Sequence, residues 1–468
     1  MGGNSLRRGA VALSLACSAI FAGPAFPAGF ALMEQSASGL GNAYAGTAAL
    51  AEDASTVWWN PAGMARLPAG KQILFAGHAI LASTRFSNAS SVIGTRSNPA
   101  LVGNGGDAGD LSLVPSGYFT MDVAPRWKMG LGVNVPFGLS TKYDPTWIGR
   151  FQGIDSEVKT LNVNPSISWA ASDRLSLGFG VNWQRGDIDL LTGVNYAGAW
   201  QGVVGGALAA GQISGATAAG LLPLVGPNAE GQNRTHLEGD AWGYNFGAML
   251  DLTPATRLGI AYRSSLKYNM TGTASFDSRP AGPALGGALG AAFNNAIADG
   301  SVALSLRAPD SASASFVHTL NTRWTLLGDL TWTGWSKVKT VPLTRDTGAT
   351  LDTLTFNFND TLRASVGANY QYSDAWTLKF GYAFDQSPVP NAESRSVRLP
   401  DNDRNWLALG AKYRLNRASA IDLGYAHLQV KDAPINNNQN PPANVKGLVD
   451  GSYKGSVEIL SVQYAYLF

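Results

Sequence analysis

Residues 161–169 read LNVNPSISW, and residues 175–183 read LSLGFGVNW. In the first run Leu161, Val163, Ile167 and Trp169 alternate with Asn162, Asn164, Ser166 and Ser168. In the second, Leu175, Leu177, Phe179, Val181 and Trp183 alternate with Ser176, Gly178, Gly180 and Asn182. A period of two belongs to a strand with one apolar and one polar face. The pattern returns in 241–250, where Trp242, Tyr244, Phe246 and Leu250 oppose Gly243, Asn245 and Gly247, and in 362–370. A soluble sandwich alternates too, so the second face decides. Its glycine, serine and asparagine suit a wet or narrow interior, while large aromatics near the strand ends suit a lipid interface. Lipid offers no partner to an unpaired backbone group, so such a sheet must close on itself.

Working outward, fourteen strand candidates follow one another: 71–84, 110–122, 126–137, 156–170, 174–190, 238–251, 255–272, 307–320, 323–340, 353–372, 375–386, 403–415, 418–430 and 454–468. Short connectors fall at Pro125, Ala171-Ser172-Asp173, Thr253-Pro254-Ala255, Asn321-Thr322, Ser373-Asp374 and Asn416-Arg417. Long ones fall between them, at 85–109, 138–155, 191–237, 273–306, 387–402 and 431–453, with 341–352 of middling length. An even strand number with alternating short and long connectors is the signature of an antiparallel transmembrane barrel. The last candidate puts Leu460, Val462, Tyr464, Tyr466 and Phe468 on one face, in position to close against the first strand. The predicted fold is all-β: a 14-stranded antiparallel transmembrane β-barrel with an N-terminal plug in its lumen.

Composition agrees. The chain has 468 residues, of which only 14% are charged, with 55 glycines and 13 tryptophans. Residues 1–28 read as a signal peptide: Arg7 and Arg8 form a basic region, 11–22 is apolar but too short to span a bilayer, and small residues follow. Cleavage after Ala25 and after Ala28 are both open, the latter leaving Phe26 three residues before the cut. Cys17, the only cysteine, lies in this apolar run. Acylation there is one reading; loss with the leader, leaving an exported chain without disulfides, is the other. The leader carries two arginines and no acid, so what remains is charge-balanced, with no electrostatic case for nucleic acid. The expected location is the bacterial outer membrane, crossed many times.

Residues 29–70 precede the first strand and read GFALMEQSASGLGNAYAGTAALAEDASTVWWNPAGMARLPAG. Small residues dominate, and Asn60-Pro61-Ala62-Gly63 marks a turn, since proline fixes φ and Asn60 can bond nearby backbone. This is the plug candidate, and 71–468 is the barrel. Phe30, Leu32, Met33, Leu40 and Leu50 either line a pocket or anchor the plug. Two long connectors contain apolar runs, the uncharged VVGGALAAGQISGATAAGLLPL at 203–224 and the similar RPAGPALGGALGAAFNNAIAD at 279–299. Such runs either form a groove for a greasy ligand or pack on each other over the barrel mouth.

The four histidines, His78, His236, His318 and His427, stand apart without metal-ligand spacing, so no metal site is expected. No residue stands out as a nucleophile, so no catalytic residue is assigned, and no cofactor. The Gly-rich stretches lack the helix that a phosphate-binding loop requires.

Several pieces together resemble the FadL-type outer-membrane transporters of long-chain fatty acids and other hydrophobic compounds. They are Ser38-Gly39-Leu40-Gly41-Asn42-Ala43-Tyr44-Ala45-Gly46, Ala51-Glu52-Asp53-Ala54, Asn60-Pro61-Ala62-Gly63-Met64, Asp385-Gln386-Ser387-Pro388-Val389-Pro390 and Leu399-Pro400-Asp401-Asn402-Asp403-Arg404-Asn405-Trp406. The resemblance implies a monomeric barrel that captures ligand between outside loops, here 191–237 and 279–299. Ligand then passes to a deeper pocket that includes the mature N-terminus near Gly29 and Phe30; Leu32 and, in the plug, Asn60 and Pro61 are further candidates for substrate binding. The ligand leaves sideways where a strand is kinked. Pro136 either makes that kink, by withholding a ladder hydrogen bond, or merely ends a strand. By position Arg185 and Lys339 would receive a carboxylate, although Arg185 shares parity with the outward Trp183 and would need a bulge to turn inward; otherwise it snorkels at the rim. If neither faces the pocket, a neutral hydrocarbon fits better.

The function that follows is passive uptake of hydrophobic small molecules, with outer-membrane lipid and lipopolysaccharide as surroundings. A surface receptor or adhesin, or a barrel lipid hydrolase, are the alternatives.

Overall fold

The computed structural model describes residues 29–280, 287–439 and 445–468. The signal-peptide reading therefore falls outside the described residues. The chain forms a closed antiparallel barrel of fourteen strands, several of them interrupted. Closure is made by the last strand (Leu448–Leu467) against the first (Lys71–Asn88), in register from Gln72↔Leu467 to Asn88↔Gly451. The short connectors all lie at one end and the long ones at the other, as the alternation of lengths predicts. The strand bounds differ mainly at the long-loop end. The eighth strand begins at Gly300, and the thirteenth continues through Ala433–Asn438. There both faces lie above the lipid, so the two-residue period that locates strands weakens.

The faces sort as the sequence requires. Trp242, Phe246, Leu362, Val366 and Leu460 point outward and stay exposed, Trp242 by 68%. A bare apolar surface of this extent needs lipid. Beside the short turns the outward aromatics pair, Trp127 with Trp169 at 5.7 Å, Trp324 with Tyr370 at 4.7 Å and Trp376 with Tyr413 at 4.6 Å, forming an interfacial girdle. The inward asparagines bond one another: Asn162 Nδ2 donates to Asn134 Oδ1 at 2.7 Å, and Asn164 and Asn182 both donate to Asn245.

Residues 29–67 run inside the ring as the short helices Ala37–Leu40, Thr47–Leu50 and Thr56–Trp59 and the 3-10 helix Pro61–Arg66. Wall glycines admit their backbone. A Cβ on Gly247 would lie 2.1 Å from Asn60 Oδ1, and one on Gly259 1.9 Å from the Ala48 carbonyl. Asn60 Nδ2 donates to carbonyls of Ala48, Ala248 and Ile260, while its Oδ1 accepts from the Ala62 amide. One amide thus fixes the segment's own turn and two wall strands. Opposite, Glu52 pairs with Lys379 and Lys412, each at 2.7 Å. Asp53 accepts from Ser38, Ser55 and Gln463.

Candidate ligand pocket and wall opening

The lumen changes character along its axis. Below, it is polar and filled by residues 37–67. Above, inward side chains from the third and fifth to ninth strands build a continuous apolar cluster that includes Leu139, Ile188, Leu237, Met270, Leu304 and Val341. Phe30 sits in it, edge-on to Trp335 at 4.7 Å and tilted to Phe137 at 5.7 Å. Apolar area removed from water in this region is worth roughly 25 cal/mol per Å².

Gly29 adopts a left-handed φ of 66°, and a Cβ there would strike Trp335. Its amide donates to Asp401 Oδ2 at 3.0 Å. Asp401 also accepts from Ser387 Oγ at 2.8 Å and pairs with Arg404. Burial pushes this loop carboxyl above its usual range, with Arg404 pulling the other way.

The third strand is broken. Its lower part, Trp127–Asn134, pairs with both neighbours, while its upper part, Gly138–Lys142, pairs only with the fourth strand. On the second strand, the residues above Gly117 have no partner in the third. Pro136 stands at the break, without an amide hydrogen to donate. Residues 30–32 take the vacant edge: the Leu32 amide donates to the Pro136 carbonyl at 2.8 Å, and the Gly138 amide to the Phe30 carbonyl at 2.9 Å. Below them Gln35 spans the gap. Its carbonyl accepts from Ser116 and Tyr118 of the second strand, and its side chain bonds Asn134 and Val135 of the third. A cavity of about 110 Å³ lies beneath, walled by Leu32, Met33, Trp58, Trp59, Pro61 and Pro136.

A family model described as outer membrane protein transport protein (OMPP1/FadL/TodX) matches residues 18–468. The chain belongs to the FadL/TodX family. It is 30% identical over 428 residues to the long-chain fatty acid transport protein of Escherichia coli K12, covering 89% of this chain and 91% of the relative. Outer membrane protein P1 of Haemophilus influenzae is 29% identical, with 88% of each chain covered. Among solved structures, a Pseudomonas aeruginosa FadL homologue matches with TM-score 0.82 at 26% identity, covering 94% of this chain and all of the other. The Pseudomonas putida toluene transporter TodX shares the fold, with TM-score 0.61 at 19% identity and coverage of 89% and 94%. Like the FadL/TodX family as a whole, this chain is an outer-membrane transport protein and not an enzyme.

Of the residues singled out in the sequence, Phe30, Leu32 and Pro136 meet at the broken strand, and Gly29, next to Phe30, bonds Asp401 and lies against Trp335. Asn60 and Pro61 lie below, in the segment that fills the polar lumen. Arg185 and Lys339 stand elsewhere. Arg185 keeps regular register between Leu161 and Asp240, faces outward, and pairs with Glu238 at 2.5 Å. No bulge turns it inward. Lys339 is exposed, and its carbonyl accepts from Phe356 and Asn357. Gln35, Asp401 and Glu52 were missed as individual residues. Gln35 carries no sequence signal, while Asp401 and Glu52 lie in stretches that resemble the family without a role attached.

The outside loops meet over the mouth. Helices Tyr196–Ala209 and Gly215–Leu221 pack with Gly287–Ala296 around Trp200 and Phe293, whose rings lie edge to face at 5.4 Å. Part of the 279–299 run, residues 281–286, lies outside the described residues.

Proposed function

We propose that this protein takes up hydrophobic small molecules across the outer membrane by diffusion through a dry chamber that opens sideways. The observation that carries this reading is the position of Phe30. It occupies the apolar upper lumen, while its own carbonyl and the neighbouring Leu32 amide occupy the free edge of the broken strand. A hydrophobe that replaces Phe30 therefore acts on the wall directly, because the same three residues cannot leave the pocket and keep both hydrogen bonds.

In this scheme residues 1–28 are removed as a signal peptide, 29–70 are the plug, and 71–468 the barrel. The packed loop helices around Trp200 and Phe293 form the first capture surface, and exposed Leu208 and Leu224 extend it. Ligand moves to the cluster around Phe30, and the plug segment shifts between closed and open populations in proportion to the ligand's preference for each. Exit is lateral, at Pro136, into the membrane beneath the lipopolysaccharide leaflet. The barrel works as a monomer, since each carries a complete lumen. Relatives named for fatty acids and neighbours named for toluene both fit a chamber of this kind.

Direct binding of a panel of fatty acids, alkanes and monoaromatics to the purified protein in nanodiscs tests the proposal, paired with uptake by cells. Binding of at least one class, lost on Phe30→Asp with the barrel still folded, is expected. Steady ion conduction with no greasy ligand bound overturns it. Deletion of residues 29–45 that left uptake untouched would favour a purely surface receptor.

A further inference from the structure

The cavity beneath Phe30 is lined by groups of both kinds. Leu32, Trp59 and Pro136 supply apolar wall, and the sixth to ninth strands add Arg263 with the polar Asn245, Ser311 and Thr331 among apolar neighbours such as Ala261 and Pro309. Arg263 faces this cavity rather than bulk water. None of the ion pairs among the described residues includes it. Its guanidinium donates to Asn182 Oδ1 and to the Trp58 carbonyl, the latter at 2.8 Å, and stacks on the Trp58 ring at 3.5 Å. All three partners are neutral. A half-buried cation whose partners are all neutral can still take a carboxylate, and a charge-assisted pair at such a site is stronger than one in open water.

We propose that Arg263 is a head-group station for amphiphilic substrates, binding an ionised carboxylate while the alkyl chain lies along Leu32 and Trp59 toward the break at Pro136. The station lies below the Phe30 pocket and before the wall opening, so a fatty acid would pass it chain-first on its way out. It supplies the inward cation that Arg185 and Lys339 do not. The assignment rests on the lateral-exit reading and specifies the chemistry it accepts, a long-chain carboxylate in preference to a neutral hydrocarbon.

The test compares hexadecanoate with hexadecanol, which share a chain and differ in charge, on the full mature protein in nanodiscs at neutral pH. Arg263→Gln is expected to weaken hexadecanoate binding by at least about tenfold, the loss of one charge-assisted pair, and to leave hexadecanol within about twofold. Arg263→Lys should restore most of the difference. In addition, 2-bromohexadecanoate, with its heavy atom beside the carboxyl carbon, should quench more tryptophan emission in the wild type than in Trp58→Phe. Equal losses for acid and alcohol would show that Arg263 only seats the plug through Trp58, and would overturn the station. So would unchanged hexadecanoate binding. If the wild type binds neither compound, the uptake reading itself fails, and the station with it.

Discussion

The Leu32 amide and the Pro136 carbonyl are hydrogen-bonded at 2.8 Å, so the chain's N-terminal segment serves as the missing neighbour of its own third strand. This break in the barrel wall is sealed by a segment that also occupies the apolar upper lumen. In the proposed mechanism, sealing and binding therefore use the same few residues.

If that seal must part for transport, tying it shut stops transport. Ala31 and Phe137 face each other as an isolated antiparallel bridge, a geometry that a disulfide spans without backbone movement. Ala31→Cys with Phe137→Cys should form a bond under oxidising conditions and abolish uptake. Reductant should restore it, because residues 29–468 contain no native cysteine to confuse the result. Uptake indifferent to oxidation would place the exit elsewhere.

Gln35 spans the same gap with four partners. Gln35→Ala leaves buried groups such as Asn134 Nδ2 without their acceptor, at a cost of about 1–3 kcal/mol each. The expected consequence is local: faster hydrogen exchange in 111–118 and 134–138, with heat-modifiable mobility of the barrel unchanged on gels.

Asn60 joins the segment inside the barrel to two wall strands. In Asn60→Ala the carbonyls of Ala48, Ala248 and Ile260 lose their shared donor. A loss of roughly 2–3 kcal/mol in the seating of residues 47–66 follows, read as protease access to that stretch and as intermittent ion conductance in planar bilayers that the wild type lacks.

Glu52 neutralises Lys379, which is 1% exposed, and Lys412. Glu52→Gln leaves two lysines with Asp422 as their remaining close carboxylate. Breaking a buried pair on one side costs roughly 2–4 kcal/mol here, below the fully buried range because Glu52 retains some solvent contact. The variant should show the same conductance phenotype as Asn60→Ala. Combining it with Lys412→Gln should recover part of the loss; no recovery would argue against an electrostatic cause.

Over the mouth, Trp200→Ala empties the centre of the loop cluster, where truncation of a buried tryptophan costs about 3–5 kcal/mol. Capture should suffer before exit does: uptake at low ligand concentration falls severalfold, while uptake at saturation changes little. A drop at all concentrations would mean that the loops hold the barrel open or closed rather than collect ligand.

How much of this was legible beforehand varies by element. Alternation in runs such as 175–183 placed the strands and their faces, since a strand's side chains point by turns to two sides regardless of what surrounds it. The rhythm of short and long connectors ordered the strands. Arg185's parity with Trp183 already pointed outward, and the sheet keeps that register. The contacts of Gln35, Asp401 and Arg263 were not legible. They depend on which wall strand lies across the lumen, and the distances along the chain, such as Gly29 to Asp401, carry no local period.

By itself, then, the order of residues determined a closed membrane sheet, its inside and its outside, because lipid and backbone hydrogen bonding act on every strand alike. Only the tertiary structure decided what fills the hole: that residues 30–32 complete the broken third strand, that wall glycines admit Asn60 and Ala48, and that Arg263 rather than Arg185 faces inward beneath the apolar chamber. Those relations join segments far apart in sequence through close packing in a confined lumen, where a single side chain's volume or charge selects its partner.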